Sequence, residues 1–474
     1  MTVLDAIRAR ARESPEHPAL VIDGAEPARV GYAALVARVD ALAERLRAHG
    51  VVAGERCGLV ARQGRGFIEA ALAILAADAC LVPIADDTAP AAQERLTSEA
   101  ALHHVIRESE DFACRSVGSP SRLAADVEAA FRALHPAYLR FTSGTTARHK
   151  GVVIGHDAIL ARLAHANAGL AITPADRVLW LLPMAHHFVV SILLYLRFGA
   201  TTLLPAGSLA RPVLTLAHRE YATVLYASPY HYGMLAKDAS DIGLDHVRLA
   251  VATADGLRAE VADGFARRFG HTLVQALGII EVGLPVMNLA SAASKPTALG
   301  RPLPGYEIWL RGEDGLPVRP TGGPDAIGEV CVRGPGAFDA YLNPWTPAPR
   351  ILARDGFRTG DHGWLDADGD LFLAGRHANR ISMAGMKFFC EEVEAVLETH
   401  PDVRTARVSA RAHAHVGEVP VAEIVARDTA RPPDATALAA HCRARLPSYK
   451  VPREFLVVAE LPRTPTGKLQ RWQA

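Results

Sequence analysis

The chain has 474 residues, 51 Lys+Arg against 51 Asp+Glu, a formal net charge of +0 and 50% hydrophobic residues. That length exceeds one ordinary core, so roughly two to four domains are expected. The composition excludes a disordered chain, and the balanced charge offers no basic field for nucleic acid or an anionic membrane. Six scattered cysteines (Cys57, Cys80, Cys114, Cys331, Cys390, Cys442) form no C-x-x-C pair, which argues against a zinc ribbon, a redox motif or a disulfide framework and fits a reducing cytoplasm.

The first residues, Met1 to Arg8, place charges where a signal peptide needs an apolar core. Val3, Ile7 and Ala11 recur at helical spacing, and Tyr32, Leu35, Val36, Val39, Leu42, Ala43 and Leu46 repeat the pattern over 32–49. Apolar runs at 57–60 and 80–84 flank a helical stretch at 66–77. Strands alternating with helices predict βαβ units and a mainly parallel sheet. Residues 98–136 show no clear period.

Residues 138–151 read strand, hydroxyl-rich loop, strand. A helix is expected over 156–169, a strand over 178–182, a helix over 189–198 and a strand over 201–204. The apolar stretch 178–204 contains Pro183, His186, His187 and Arg197, which favours a buried helix over a membrane span. Strands follow at 222–228, 248–253 and 272–276, the last running into Leu277-Gly278-Ile279-Ile280-Glu281. From about 296 to 375 short runs between Gly, Pro and Asp turns predict antiparallel β. Beyond 376 a helix (391–400), two strands (403–409, 419–425), a helix (436–446) and a strand (455–458) suggest a separate α+β domain of ordinary size.

Several stretches can carry chemistry. The loop Thr142-Ser143-Gly144-Thr145-Thr146-Ala147-Arg148-His149-Lys150-Gly151 offers hydroxyls, backbone N–H groups and a lysine; it reads either as a Ser/Thr turn or as a polyphosphate cradle. It is not a Walker loop, because the G-x-x-x-x-G-K-[ST] spacing is absent. Glu281, just past a strand end, is a helix-start carboxylate or a Mg²⁺ ligand. Asp361 in Thr359-Gly360-Asp361 is an ordinary turn residue or a ribose acceptor. Asp366-Ala367-Asp368-Gly369-Asp370 lacks the EF-hand glycine and closing glutamate, so a hairpin turn is expected. Arg376 is a linker residue or a phosphate or ribose clamp, and Lys468 in Pro465-Thr466-Gly467-Lys468 says little alone. Adjacent His186 and His187, taken as strand residues, point to opposite sides and do not chelate one metal.

These signals in this order resemble the superfamily of adenylate-forming enzymes: acyl- and aryl-CoA synthetases, stand-alone adenylation domains of peptide synthetases and luciferases. The likeness runs from the first helix to Lys468. It implies an α/β fold with a large N-terminal domain (1–376) of βαβ-type sheets plus a small β-barrel-like region, and a small mobile α+β C-terminal domain (377–474). It implies ATP-dependent conversion of a small carboxylic acid to an acyl-adenylate and pyrophosphate, then transfer to a thiol of CoA or a carrier protein. By resemblance Thr142, Ser143, Gly144, Thr145, Thr146 and Lys150 surround the phosphates, and Glu281 holds Mg²⁺. Gly278 belongs to the nucleotide site, Asp361 and Arg376 contact ribose, and Lys468 bridges carboxylate and α-phosphate.

Departures from the family pattern are Ala147 for a glycine, His149 for a proline, Leu277 for an adenine-stacking aromatic, Ile280 for a hydroxyl residue and Ala378 at the hinge. Pro183–Ser191 resembles the segment lining the acid pocket, giving His186, His187, Phe188 and Ser191 as candidates, with Tyr226 and Ser228 as a second wall. Val189 stands where amino-acid activators carry an Asp, so an aryl or unsaturated acid is expected rather than an α-amino acid. Two alternatives remain open: adenylation coupled to a nitrogen acceptor (amide formation, or nitrite activation in diazotisation), and a degenerate nucleotide binder.

Overall fold

The computed structural model describes residues 2–24, 27–108, 112–117, 123–141, 150–189, 191–318, 323, 326–352, 356–376, 379–383, 386–413, 416–463 and 469–470. Thr142, Ser143, Gly144, Thr145 and Thr146, with Ala147, His149, Ala378 and Lys468, lie outside the described residues. The chain divides into two compact units, one of Met1–Glu307 with Val332–Phe357 and one of Ile308–Cys331 with Arg358–Ala474.

Among the described residues, the first unit carries two large sheets. One has nine strands, with Leu273–Ile279, Leu249–Ala252, Val224–Ala227, Arg177–Trp180, Thr201–Leu204 and Pro18–Ile22 side by side and parallel. Strands such as Val224–Ala227 and Thr201–Leu204 are buried along their whole length, which is why they read as unbroken apolar runs. Parallel neighbours need crossovers, and the helices Ala210–Arg219, Pro229–Ala236 and Ala259–Phe269 lie in the connections. Their apolar faces (Val213 and Leu216, Tyr232 and Leu235, Phe265) share one core with Leu179, Leu203, Leu225 and Leu273.

The second sheet has eight strands. Cys80–Ala85 pairs in parallel with Arg56–Ala61 and with Pro136–Phe141. Pro136–Phe141 then turns back onto Gly151–Gly155 as an antiparallel hairpin whose last pair is Phe141 and Gly151. A Cβ at Gly151 would lie 3.0 Å from Leu139 Cδ1 and 3.1 Å from both Leu342 Cβ and Phe141 Cζ, so the close approach favours glycine.

Two expectations change. The apolar stretch 178–204 holds the expected strand, helix and strand as Arg177–Trp180, Ile192–Arg197 and Thr201–Leu204, but a short helix, Met184–His187 with Pro183 at its N-cap, stands between the first two. His186 and His187 thus sit on a helical turn, not a strand. The stretch 98–136 contains strands His104–Arg107 and Ala113–Ser116 and the helix Ala125–Ala133. Ala113–Ser116 is an exposed edge strand, so no apolar alternation announces it. No helix of the described residues is long and apolar enough to cross a membrane.

The second unit holds most of a four-stranded sheet in the order Glu307–Arg311, Gly328–Arg333, Phe357–Leu365, Leu371–Arg376. The barrel-like region takes this open form. Leu365 pairs with Leu371 across the aspartate-rich segment, which is the expected hairpin turn. Further on, the strands Val403–His413 and Gly417–Ala426 pair antiparallel, and the helices Cys390–Glu398 and Ala435–Arg443 cover them around Val393, Leu397, Val408, Ile424 and Leu438. Glu394 accepts from Val408 N at 2.7 Å, fixing helix to strand.

Candidate active site

The strand Leu273–Ile279 ends in a tight turn and returns as Gly283–Met287, with Ile279 opposite Gly283. Glu281 stands at the tip. Gly283 has φ +95°, and a Cβ there would lie 3.2 Å from Arg162 Cβ, so the turn requires glycine. Three consecutive carbonyls of this turn are tied down: Arg162 Nη1 donates to Ile280 O at 3.0 Å, Phe338 N to Glu281 O at 2.7 Å, and Tyr306 Oη to Val282 O at 2.9 Å.

The side chain is held as firmly. Tyr341 Oη donates to Glu281 Oε1 at 2.9 Å. Glu281 is half-buried by area, yet desolvation raises its carboxyl pKa; the Tyr341 bond, a backbone bond and the charges of Arg140 and Lys150 only partly oppose that. Lys150 Nζ lies 4.8 Å from the centre of the Tyr341 ring, a cation–π contact that ties the end of the hydroxyl loop to the same corner. Gly278 is exposed at the end of its strand, where an added Cβ would find only Thr253 Oγ1, at 3.9 Å.

Beside this corner lies the Pro183–Ser191 segment. His187 meets the ring of Trp180 at 6.2 Å, and Trp180 stacks on Tyr226 at 5.4 Å and 24°. Ser191 Oγ donates to His187 O. Tyr226 is buried with Thr253 as its hydrogen-bond partner, and burial pushes its phenol up. Of the candidates, His187 and Tyr226 are brought together around Trp180. Phe188 packs edge-on against Phe67 at 5.6 Å, and Ser228 is engaged with His231 Nδ1 at 2.8 Å. His186 meets Arg140, whose Nη1 donates to its carbonyl.

In the second unit Asp361 and Arg376 are direct cross-strand partners, with Arg376 Nε donating to Asp361 Oδ1 at 2.9 Å. The Asp361 side chain is 8% exposed and that of Arg376 59%, so the carboxylate is anchored while the guanidinium reaches outward. Gly360 takes a positive φ (+74°) inside the strand Phe357–Leu365, and Thr359 Oγ1 accepts from Asp361 N at 3.0 Å. Asn379 donates to Glu391.

Sequence reasoning missed Arg140, Arg162, Trp180 and Tyr341. One signal existed: Arg162 falls at helical spacing among Ile159, Leu163 and Ala166, on the buried face of the helix His156–Leu170.

The sequence matches the profile of the AMP-binding enzyme family over residues 7–342. The chain belongs to that family. The AMP-binding enzyme C-terminal domain matches as well, over residues 392–468. Among curated AMP-binding relatives, the sulfoacetate–CoA ligase of Cupriavidus necator is 32% identical over 71% of this chain and 66% of its own length. The chain therefore spans just under two thirds of that relative. The 2-succinylbenzoate–CoA ligase of Bacillus subtilis is 28% identical over 98% of this chain and 96% of its own. Among solved structures, ATP-bound MatB from Rhodopseudomonas palustris superposes with a TM-score of 0.84 at 23% identity, covering 99% of this chain and 97% of that one. This likeness bears out the mixed α/β fold with a large sheet domain and a smaller C-terminal domain.

Proposed function

We propose that this AMP-binding enzyme activates a small carboxylic acid with ATP, releasing pyrophosphate, and passes the acyl group from the adenylate to the thiol of CoA. One observation carries the reading: a carboxylate pinned at a strand end, Glu281, shares a corner with the loop lysine Lys150 through Tyr341. Such a corner suits a divalent cation and the phosphates it neutralises. A single hard oxygen donor with a desolvated carboxyl fits Mg²⁺, which takes one or two carboxylates plus phosphate oxygens. Glu281 would hold it; bound there, the ion would offset charge on the leaving pyrophosphate.

In this reading Thr142, Ser143, Gly144, Thr145, Thr146 and Lys150 cradle the phosphates, Gly278 borders the nucleotide, and the Asp361–Arg376 pair receives the ribose. Lys468, on the C-terminal domain (377–474), supplies a cation between carboxylate and α-phosphate, where like charges meet. Domain closure then positions the attack. A carrier-protein thiol is the alternative acceptor. The acid is an aryl or unsaturated one, because Trp180, Tyr226 and His187 form an aromatic wall beside the corner. The two curated relatives are named for sulfoacetate and 2-succinylbenzoate, so the acyl substrate of this chain is set by its own pocket.

The test is pyrophosphate release with ATP, Mg²⁺ and a panel of aryl, cinnamoyl-type, fatty and amino acids and nitrite, followed by capture with CoA. Release with an aryl or unsaturated acid and thioester formation are expected. No release with any acid rejects the activity, and release that CoA fails to capture, while an amine or carrier thiol succeeds, moves the acceptor.

A further inference from the structure

Arg140 has no role in the function described so far, yet it is built into the acid side of the site. It lies in the strand Pro136–Phe141, and both of its Nη groups are committed to one residue, His186. Nη1 donates to the His186 carbonyl, and Nη2 lies 3.3 Å from His186 Nδ1. A guanidinium only donates, so Nδ1 accepts and the ring proton is assigned to Nε2. These bonds fix the guanidinium against the helical turn Met184–His187, whose His187 borders the Trp180–Tyr226 wall.

The third nitrogen is left over. Arg140 Nε is shielded from solvent and has no hydrogen-bond partner. Among the described residues no carboxylate lies within ion-pair distance of Arg140; Glu281 acts on it only through space. Desolvation accordingly lowers the guanidinium pKa. A shielded N–H with no acceptor is costly, and an anion arriving at Nε would supply one. A carboxylate engages Nε and the neighbouring Nη side-on, the bidentate geometry arginine favours.

We propose that Arg140, steadied by His186, is the seat for an acidic group of the acid substrate. Arginine, with three nitrogens in one plane, can hold His186 and a carboxylate together; glutamine or lysine in its place cannot do both. The residue that steadies the guanidinium, His186, belongs to the acid-side segment, which favours the acid over the triphosphate as the anion. The inference deepens the proposed function and rests on the acid binding there. It leaves two sources for the anion: the carboxylate that is activated, or a second acidic group on the same molecule.

The experiment compares wild type, Arg140→Met and Arg140→Gln. Calorimetric dissociation constants are measured for ATP, for cinnamate and for 4-carboxycinnamate, each acid with and without ATP. Arg140→Met should weaken acid binding by about 10- to 100-fold, the size of a lost charge-assisted hydrogen bond, with ATP binding within about twofold. Arg140→Gln keeps donors without the charge and should fall between, which also covers a Met variant that folds poorly. Equal losses for both acids place the reacting carboxylate in the seat; a larger loss for 4-carboxycinnamate places the second group there. Weakened ATP binding with unchanged acid binding overturns the proposal, as does no change in either, or a wild-type protein that binds neither acid. Binding needs no turnover, so acid held through Arg140 without pyrophosphate release would sink the proposed activity and leave the seat standing.

Discussion

Glu281, just past a strand end, and Asp361, within the strand Phe357–Leu365, are two carboxylates that the chain treats oppositely. Asp361 is given a cation of its own: Arg376 faces it across the sheet at 2.9 Å. Glu281 is given a neutral phenol at 2.9 Å, with arginine and lysine charges near but not bonded. The first arrangement is complete and leaves an acceptor that can take a hydroxyl. The second leaves a carboxyl whose ionised form is disfavoured by burial and only partly offset by its neighbours. In the proposed function this contrast would separate recognition of a neutral sugar from recognition of a charged ion–phosphate group.

The largest effect that would break this contrast is at Glu281. Glu281→Gln should lower Mg²⁺-dependent pyrophosphate release by about 100-fold, the size of losing one group that stabilises developing charge. Single-turnover release across a Mg²⁺ titration checks it. A loss below threefold would mean that Glu281 only shapes the turn.

Next comes the frame beneath Glu281. Arg162 is 1% exposed, and burial pushes its guanidinium pKa down to about 10. It serves two carbonyls, Ile280 O and Gly336 O. Arg162→Met would strand both acceptors, at about 1–3 kcal/mol each, while relieving a buried charge. We expect a net loss of about 2–4 kcal/mol in urea unfolding, together with a raised Mg²⁺ requirement. Unchanged stability would show that the turn needs no such brace.

This pair of carboxylates also shows how far the sequence could be read. The parallel strands are legible because burial on both faces makes them apolar runs, and Glu281 and Asp361 are legible because a strand end and the Thr359-Gly360-Asp361 run leave local marks. Their partners are not. Tyr341 reaches Glu281 across 60 positions, Arg162 reaches Ile280 across 118, and Arg140 reaches His186 across 46. A buried arginine looks like any solvated one until the fold supplies its acceptors. The short helix Met184–His187 is illegible for another reason: one turn is too brief to show a period, so from sequence the two histidines read as strand residues.

A smaller effect sharpens the Asp361 side. The Arg376 side chain is largely exposed, so Arg376→Ala should cost under about 1 kcal/mol of stability. If the guanidinium serves the nucleotide, the KM for ATP should rise about tenfold while the KM for the acid stays put. Stability and both KM values measured on one preparation decide between a structural cross-strand pair and a ribose contact.

The smallest effect is a pH dependence at Glu281, and its sign follows from the direction of the shift. Burial raises the carboxyl above its ordinary value of 4.5, so the folded state binds the proton more tightly than the unfolded one. The stabilisation this gives is fully present below 4.5 and is lost as pH rises through the folded value, leaving the ionised form at a disadvantage at neutral pH. Glu281→Gln, which is neutral throughout, should therefore be more stable than wild type at pH 7, and the gap should close in acid. Mg²⁺ with ATP should also narrow it, by stabilising wild type alone. Asp361 supplies the control: it already has its arginine, so Asp361→Asn should lose stability at pH 7. Thermal unfolding of both variants from pH 4 to 8 measures this. Glu281→Gln less stable than wild type at pH 7 would mean that the carboxylate is as satisfied by its surroundings as Asp361 is by Arg376.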